Sequence, residues 1–494
     1  MIPRDLDALE RGPFDLAVIG GGIHGVALVL EAARRGLRAA LVERNDFGSG
    51  SSGNSLRILH GGLRYLQTLD LPRFRDSVSA RKWYASHFPQ LVRPLPCLMP
   101  LYGRGLKRPA VMRIALAAND ALASTRNDGL ATEVRLPPGG VLSRAETIDR
   151  FPAVRQQGLV GAALWYDYQM LSSERILIEM LHWAAQLGAV TANYVEVKRF
   201  GRASGRFDRI VAVDRLTGRE LVVRAPLLVN AGGAASPGLA ALAGHGATRF
   251  SPPSMAFNVL FDSGSMGDSA MAVAAPERGA AVHFICPSRH GVWAGTAHLP
   301  RPNGAPPAPP ADSEIERFIG ELRSDVPDFA WGDAKVRKVY SGFIPVSQPM
   351  TANLAVRADV VEVGGNDSGL LGVVGIKYTT ATQVAQYALR CALGKRLPER
   401  TTEPGVASPP AALDAGAALA DGDVAAAMPR AALSTLIREV AGREAAGNAD
   451  DFFERRTNWG FTARDPQLLR TVVRETLEDT GASSPTTGSL ERKG

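Results

Sequence analysis

The chain is expected to fold as an α/β protein. It should carry a dinucleotide-binding unit, a second unit built on a mixed or antiparallel sheet, and a small helical C-terminal unit. Three observations predict this. First, residues 14–19 (FDLAVI) form a short apolar, β-rich run that leads into Gly20-Gly21-Gly22-Ile23-His24-Gly25. A helical pattern follows to about residue 35, then a second apolar run at 39–42 (AALV) that ends on Glu43. Second, two further apolar runs end in turns of small residues, 227–233 (LLVNAGG) and 372–380 (GVVGIKYTT). Third, residues 248–293 hold strand-like pieces such as FNVLF and AVHFIC, and after Lys395 the composition shifts to Pro, Ala and Asp. Short continuous apolar runs suit strands buried on both faces of a parallel sheet. G-x-G-x-x-G between such a strand and a helix makes the first unit Rossmann-like.

The elements follow in order. Gly20 permits the tight turn, Gly22 lets a pyrophosphate approach the backbone, and Gly25 lets the helix pack on the strand. The helix N-terminus then faces the phosphates. Glu43, about 20 residues on, suits the adenosine ribose hydroxyls. Residues 45–62 are rich in Ser and Gly and read as loop, and 63–87 read as helical. A basic, Pro-punctuated stretch covers 93–113, a helix 173–187, and strands 189–198, 209–213 and about 221–229. Residues 301–312 (RPNGAPPAPPAD) read as a Pro-rich surface loop. Strands at 360–363 and 370–374 flank a Gly/Asn/Asp turn, and 379–393 has helical spacing. A helix starting near 377–379 would turn its positive end on a ligand, or would simply be capped by Thr379 or Thr380. Helical pattern returns at about 425–480, and 481–494 reads as a disordered tail.

Composition narrows the class. At roughly 150 residues per domain, 494 residues imply two to four domains. With 45% hydrophobic and 21% charged residues, wholesale disorder is excluded. The net charge of +7 suits anionic ligands, but no Lys/Arg block or zinc-finger spacing points to nucleic acid. Cys97, Cys286 and Cys391 lie far apart, which excludes a Cys-rich metal site or disulfide framework and fits a reducing, cytoplasmic compartment. The first 15 residues are too acidic for a signal peptide, and the apolar run 16–30 is too short to span a bilayer.

Several blocks carry a resemblance. Residues 55–66 (SLRILHGGLRYL), Asn230-Ala231, Tyr340-Ser341-Gly342 with Pro345, Lys377 with Thr379 and Thr380, and 451–457 (DFFERRT) together resemble the FAD-dependent glycerol-3-phosphate dehydrogenases. These sit within the D-amino-acid-oxidase-like flavoproteins. The resemblance covers nearly the whole chain. It implies non-covalent FAD and oxidation of a secondary alcohol beside a phosphate ester, with electrons passed to quinone or oxygen. By the same resemblance Gly20, Gly22, Ile23, His24, Gly25, Glu43, Arg44, Ser51, Ser52, Asn54, Ser55, Gly61, Gly62, Val197, Ala231 and Gly232 hold FAD. Gly375, Ile376 and Lys377 would face its ring, and Tyr378 and Thr379 would also bind the cofactor. Segments 1–95, 150–250 and 355–395 would form the FAD unit, 96–149 and 251–354 the substrate unit, and 396–494 the helical appendage.

Hydride transfer from an alcohol needs a base, cations for the phosphate, and positive potential near the reduced ring. His60 is a candidate base, or a structural histidine that orients the loop. Arg64 and Tyr65 suit the phosphate and hydroxyl, or pack on a helix face; Lys377 suits substrate or flavin; Arg357 suits the phosphate, or is a strand-end surface residue. The chain also departs from the family. Ile344 stands where the family has Arg in Y-S-G-x-R-P, and His298 where it has Asp. An isoleucine removes a charge and five donors, which favours a substrate less anionic at that point. Two alternatives remain open: an oxidase of an amine or hydroxy acid, and a flavoprotein that has lost turnover. Arg93, Arg104, Lys107, Arg108 and Arg113 among apolar residues suit an anionic lipid surface or a solvated loop. The resemblance favours peripheral contact at the inner membrane face. Oligomeric state is left open.

Overall fold

The computed structural model describes residues 1–478 apart from 67, 104, 247–249, 263–266, 275–281, 289–290, 303–307, 328, 330–334, 366 and 401–415. The disorder expected of 481–494 therefore lies outside the described residues, as does the centre of the Pro-rich segment.

Strand Leu16–Ile19 sits inside a six-stranded sheet, in the order Asp359–Glu362, Leu370–Val374, Leu227–Asn230, Leu16–Ile19, Ala39–Val42, Val190–Ala192. All neighbours are parallel except the first pair. The three apolar runs that end in small-residue turns thus lie side by side, and their turns emerge at one edge. One face is covered by helices Ile23–Ala33, Ser173–Gln186 and Ala381–Leu393. The other is covered by the antiparallel meander Val195–Ala203, Arg206–Asp214, Glu220–Arg224. Both faces are dry, which is why these strands read as unbroken apolar runs.

The second sheet is mixed, as expected. Its strands run Lys335–Pro345, Pro253–Asp262, Gly291–Pro300, His283–Ser288, Ala270–Val273, Val92–Leu101, Gly161–Met170 and Ile58–Leu59, with Gly140–Ser143 also on Gly161–Met170. Segments grouped by sequence with the first unit therefore also feed this sheet, through residues 58–59, 92–95 and 161–170. The basic stretch 93–113 resolves into strand Val92–Leu101 and helix Pro109–Leu122. Prolines were read as punctuation there. They are tolerated because the strand pairs with Ala270–Val273 only at Cys97 and Leu98, so Pro94, Pro96 and Pro100 owe no ladder donor on that side.

The C-terminal helices, from Gly416–Ala420 to Pro466–Glu478, share a core of Leu433, Ile437, Phe452, Trp459 and Val473. This bundle docks through buried charge. Asp46, 1% exposed, accepts two hydrogen bonds from Arg456 (2.7 and 2.8 Å), one from Arg455 (2.6 Å) and one from Asn193 (2.8 Å). Glu444 takes a bidentate Arg175 (2.8 and 2.8 Å) and His182 Nε2 (3.0 Å). Tyr194 donates to Asp451 (2.7 Å). The D-x-x-x-R-R-T motif is thus a docking device. Burial alone would raise the Asp46 carboxyl, but Arg456 and Arg455 hold it down at about 2.

Replacing one partner of a buried pair leaves the other charge stranded, at a cost of about 3–5 kcal/mol. Asp46→Asn should lower stability by that amount in urea titrations at neutral pH. Because the folded carboxyl is depressed, its contribution is full above the unfolded value of roughly 4 and vanishes as pH falls towards about 2. The gap between wild type and variant should close over that window, and a gap that persists would contradict the assignment.

Candidate active site

The strand–turn–helix opens the site. Gly20 has φ +113°, and a Cβ there would fall 2.5 Å from the Ala231 carbonyl oxygen. A Cβ on Gly25 would overlap the Gly20 carbonyl. Only glycine lets the two neighbouring turns and the helix come this close. Glu43 accepts the Gly21 N–H (2.7 Å) and the Asn45 N–H (2.8 Å), and burial raises its carboxyl. Its carbonyl receives the Val195 N–H (2.7 Å), so the strand bearing Val197 starts beside it. The carbonyl of Arg44 accepts from Arg215 (2.9 Å). Gly232 N–H is held by the Asn230 side chain at 3.2 Å.

The Ser/Gly loop lies over the helix start as a short 3₁₀ turn, Ser51–Asn54. Ser52 Oγ accepts the Ile23 N–H (2.9 Å) and so caps a helix whose own N-cap, Gly22, has no side chain. Ser51 donates to the Phe343 carbonyl (2.8 Å), and a Cβ on Gly342 would meet Ser51 Cα at 2.8 Å. The Gly of Tyr340-Ser341-Gly342 therefore admits this loop. Ile344, two residues further along the strand, shares that face. Asn54 donates to Gly50 (2.9 Å) and its carbonyl accepts from Asn258 (3.1 Å), which is itself fixed by Thr296 (2.9 Å). His298 keeps a buried Nδ1 without a partner among the described residues, and burial lowers its pKa.

The third turn meets the first through His24. A Cβ on Gly375 would collide with the His24 ring. The buried His24 Nε2 has no hydrogen-bond partner among the described residues, and burial lowers this histidine to about 4. Two residues on, past Ile376, Lys377 Nζ hydrogen-bonds the Tyr65 hydroxyl and lies 4.7 Å from the centre of its ring. Arg73 stacks on the ring (4.3 Å) and donates to the same hydroxyl (3.3 Å). Tyr378 donates to Ser173 (2.6 Å), and Thr379 is buried. The helix begins at Ala381 rather than 377–379, and Thr380 is its N-cap without a side-chain cap bond. The delay arises because residues 378–381 close a turn, with Ala381 N–H on the Tyr378 carbonyl (3.2 Å).

His60 is fixed by a carboxylate that sequence reading missed. Its Nδ1 lies 3.1 Å from Asp167, which also accepts the Gly61 N–H (2.7 Å), Arg81 (2.9 Å) and Trp165 (3.2 Å). Burial opposes ionisation of Asp167, yet His60, Arg81 and the Gly61 N–H hold it at about 2. In the neutral tautomer that donates Nδ1–H to Asp167, Nε2 is the ring nitrogen that carries the lone pair. Gly61 leaves room for Arg81, and Gly62, at φ +83°, for Ser77. The only sequence trace of Asp167 is an acid inside the apolar strand LWYDYQM. Arg57 was also passed over. It binds Glu174 (3.0 Å) and Asn458 (2.7 Å) and lies 4.7 Å over the Phe461 ring. Of the remaining sequence candidates, Arg64 lies on helix Leu63–Leu66 with its side chain outside the described residues. Ser55 Oγ accepts the Arg57 N–H (3.2 Å). Arg357 is exposed near Tyr387, and no described contact joins it to His60, Tyr65 or Lys377.

The chain is similar to known proteins. A family model described as FAD dependent oxidoreductase matches residues 15–383. The mitochondrial glycerol-3-phosphate dehydrogenase of Rattus norvegicus is 32% identical over 396 residues, covering 76% of this chain and 52% of that protein. The chain thus spans about half the length of the mitochondrial relatives it matches. Glycerol-3-phosphate dehydrogenase 1 of Mycobacterium tuberculosis is 30% identical over 517 residues, covering 96% of each. The glycerol-3-phosphate dehydrogenase of Bacillus halodurans, solved with FAD, superposes with TM-score 0.70 at 19% identity, covering 97% of this chain and 93% of that one. The L-α-glycerophosphate oxidase of Mycoplasma pneumoniae, solved with FAD bound, gives 0.54 at 15% identity, covering 80% and 97%. With three glycine turns converging on one cradle and the family's own sequence pattern across three quarters of its length, the chain belongs to the FAD-dependent oxidoreductase family.

Proposed function

We propose that the protein oxidises a secondary alcohol of the glycerol 3-phosphate kind to a ketone, with the electrons leaving to quinone or oxygen. One observation carries this reading: contacts run unbroken from the dinucleotide turn at His24, through Gly375, to Lys377, Tyr65 and Arg73. The cofactor cradle and a cluster of cations therefore share one wall. The residues fit FAD. Gly20, Gly22 and Gly25 keep the cradle free of side chains, Glu43 retains lone pairs for ribose hydroxyls, and the orphaned His24 Nε2 lies under the turn 375–377. Ile23, Arg44, Ser51, Ser52, Asn54, Ser55, Gly61, Gly62, Val197, Ala231, Gly232, Ile376, Tyr378 and Thr379 complete the set proposed to hold it. Bound there, FAD supplies a two-electron acceptor for hydride.

The side chains divide the remaining work. Lys377, Tyr65 and Arg73 present positive charge and a hydroxyl to a phosphate-bearing substrate, with Arg64 proposed beside them and Arg357 as a more distant cation. His60, with Nδ1 fixed by Asp167, offers Nε2 to the substrate hydroxyl proton. A second reading, a hydroxy-acid or amine substrate, rests on Ile344. It lies on the face of its strand that meets the Ser51 loop, and it removes a cation from that face.

Among the described residues, no helix is long and apolar enough to cross a membrane. Helix Pro109–Leu122 is anchored by Met112 and Leu116 and leaves Val111, Ile114 (73% exposed) and Leu122 outside, beside Lys107, Arg108 and Arg113. This pattern supports peripheral docking on an anionic lipid surface at the inner membrane face. Arg104 lies outside the described residues.

Three outcomes are expected. Anaerobic titration with glycerol 3-phosphate should bleach the visible flavin band; a flavin reduced by dithionite but not by this substrate would favour the second reading. In the fraction that still binds FAD, Asp167→Asn should lower kcat by roughly 10²-fold, because the base loses its orientation. Unchanged steady-state kinetics would remove His60 from the base role. Ile114→Asp should abolish co-sedimentation with phosphatidylglycerol vesicles while sparing soluble turnover, and undiminished sedimentation would exclude this helix as the docking face.

A further inference from the structure

The family match ends at residue 383, yet the loop that closes the cofactor cradle is held from beyond residue 440. At the start of the loop, three residues past Glu43, Asp46 is gripped by Arg455 and Arg456. At its far end, Arg57, with φ +57°, donates to Asn458 (2.7 Å) and stacks over Phe461 (4.7 Å). Between these two points lie Ser52, which caps the pyrophosphate-facing helix, and Ser51, which docks on the Phe343 carbonyl.

We infer that Arg455, Arg456 and Asn458 are positioning residues that clamp the loop 43–57 in the shape that retains FAD, so that docking of the C-terminal segment and binding of FAD strengthen each other. This inference rests on the FAD reading above. Two physical arguments support it. The loop contains Gly48, Gly50 and Gly53 among serines, and each residue that it must order costs backbone entropy. A loop held only by its own contacts would meet that cost on every binding event, whereas the clamp meets it in advance. Second, Asp46 cannot stay buried without its cations. If the segment 444–458 undocks, Asp46 must move out to water. It would draw with it the neighbouring Glu43 and the hydrogen bond from Gly21 N–H that shapes the cradle. Departure of the segment and loss of the cradle are therefore one event. The coupling must also be reciprocal: whatever the clamp adds to FAD affinity, FAD adds to docking.

The test uses the full chain. FAD dissociation constants are measured by flavin fluorescence for wild type, Arg456→Lys, Asn458→Ala and Phe318→Leu, the last a core change on the far face of the second sheet. Hydrogen exchange of residues 444–461 is followed with and without FAD. The two clamp variants should bind FAD roughly tenfold more weakly, Phe318→Leu should match wild type, and FAD should slow exchange across 444–461. Wild-type affinity in both folded clamp variants, or exchange in 444–461 that ignores FAD, would overturn the clamp while leaving the cofactor reading intact. A wild-type chain that binds no FAD would overturn both.

Discussion

A buried carboxylate must keep its counter-charges, and the molecule is organised around two that do. Asp167 stands inside the second sheet and draws His60, the Gly61 backbone and Arg81 onto itself, so the H-G-G segment and helix Leu71–His87 are fixed by one side chain. Asp46 stands at the end of the first sheet and draws in Arg455 and Arg456. Neither could be buried alone, because desolvation would exceed any packing gain. The loop between Glu43 and Gly62 runs from one of these anchors to the other. Cofactor cradle, candidate base and C-terminal bundle therefore share a single mechanical frame.

Much of this frame was legible in the sequence. The strand–G-x-G-x-x-G–helix–strand unit is local, and its glycines are required by contacts within a few residues or with the adjacent strand. The runs 227–233 and 372–380 were legible because parallel strands buried on both faces read as apolar blocks ending in small residues. What escaped was long-range. Asp167 pairs with residues 86 and 107 positions away, and Arg57 with Asn458, 401 positions away. Nothing in local periodicity announces such partners. The Pro-containing strand Val92–Leu101 escaped for another reason: its tolerance for proline depends on how little of it pairs on one side, a property of the assembled sheet.

The wall proposed for the substrate is built around one tyrosine. Tyr65 sits between Lys377 and Arg73, so two cations address one oxygen, while Asp70 pairs with Arg73 (3.4 Å). Ile344 is a neutral residue on the face of strand Lys335–Pro345 that meets the Ser51 loop. The cradle, by contrast, joins glycine backbone to the side chains of Glu43, Ser52 and His24.

The strand order of the first sheet has a consequence for how the protein is made. Strand Leu16–Ile19 is made well before its neighbour Leu227–Asn230 and the next strand Leu370–Val374, which follow hundreds of residues later, and Arg456 comes later still. At roughly 5–20 residues per second, about 20–80 s separate synthesis of the first two strands from arrival of the clamp. Until Leu227–Asn230 emerges, about half-way through that interval, strand Leu16–Ile19 exposes an apolar β-edge with no partner. The sheet that holds strand Leu16–Ile19 is completed only once segments hundreds of residues further along have been made, which makes it a natural client for chaperones.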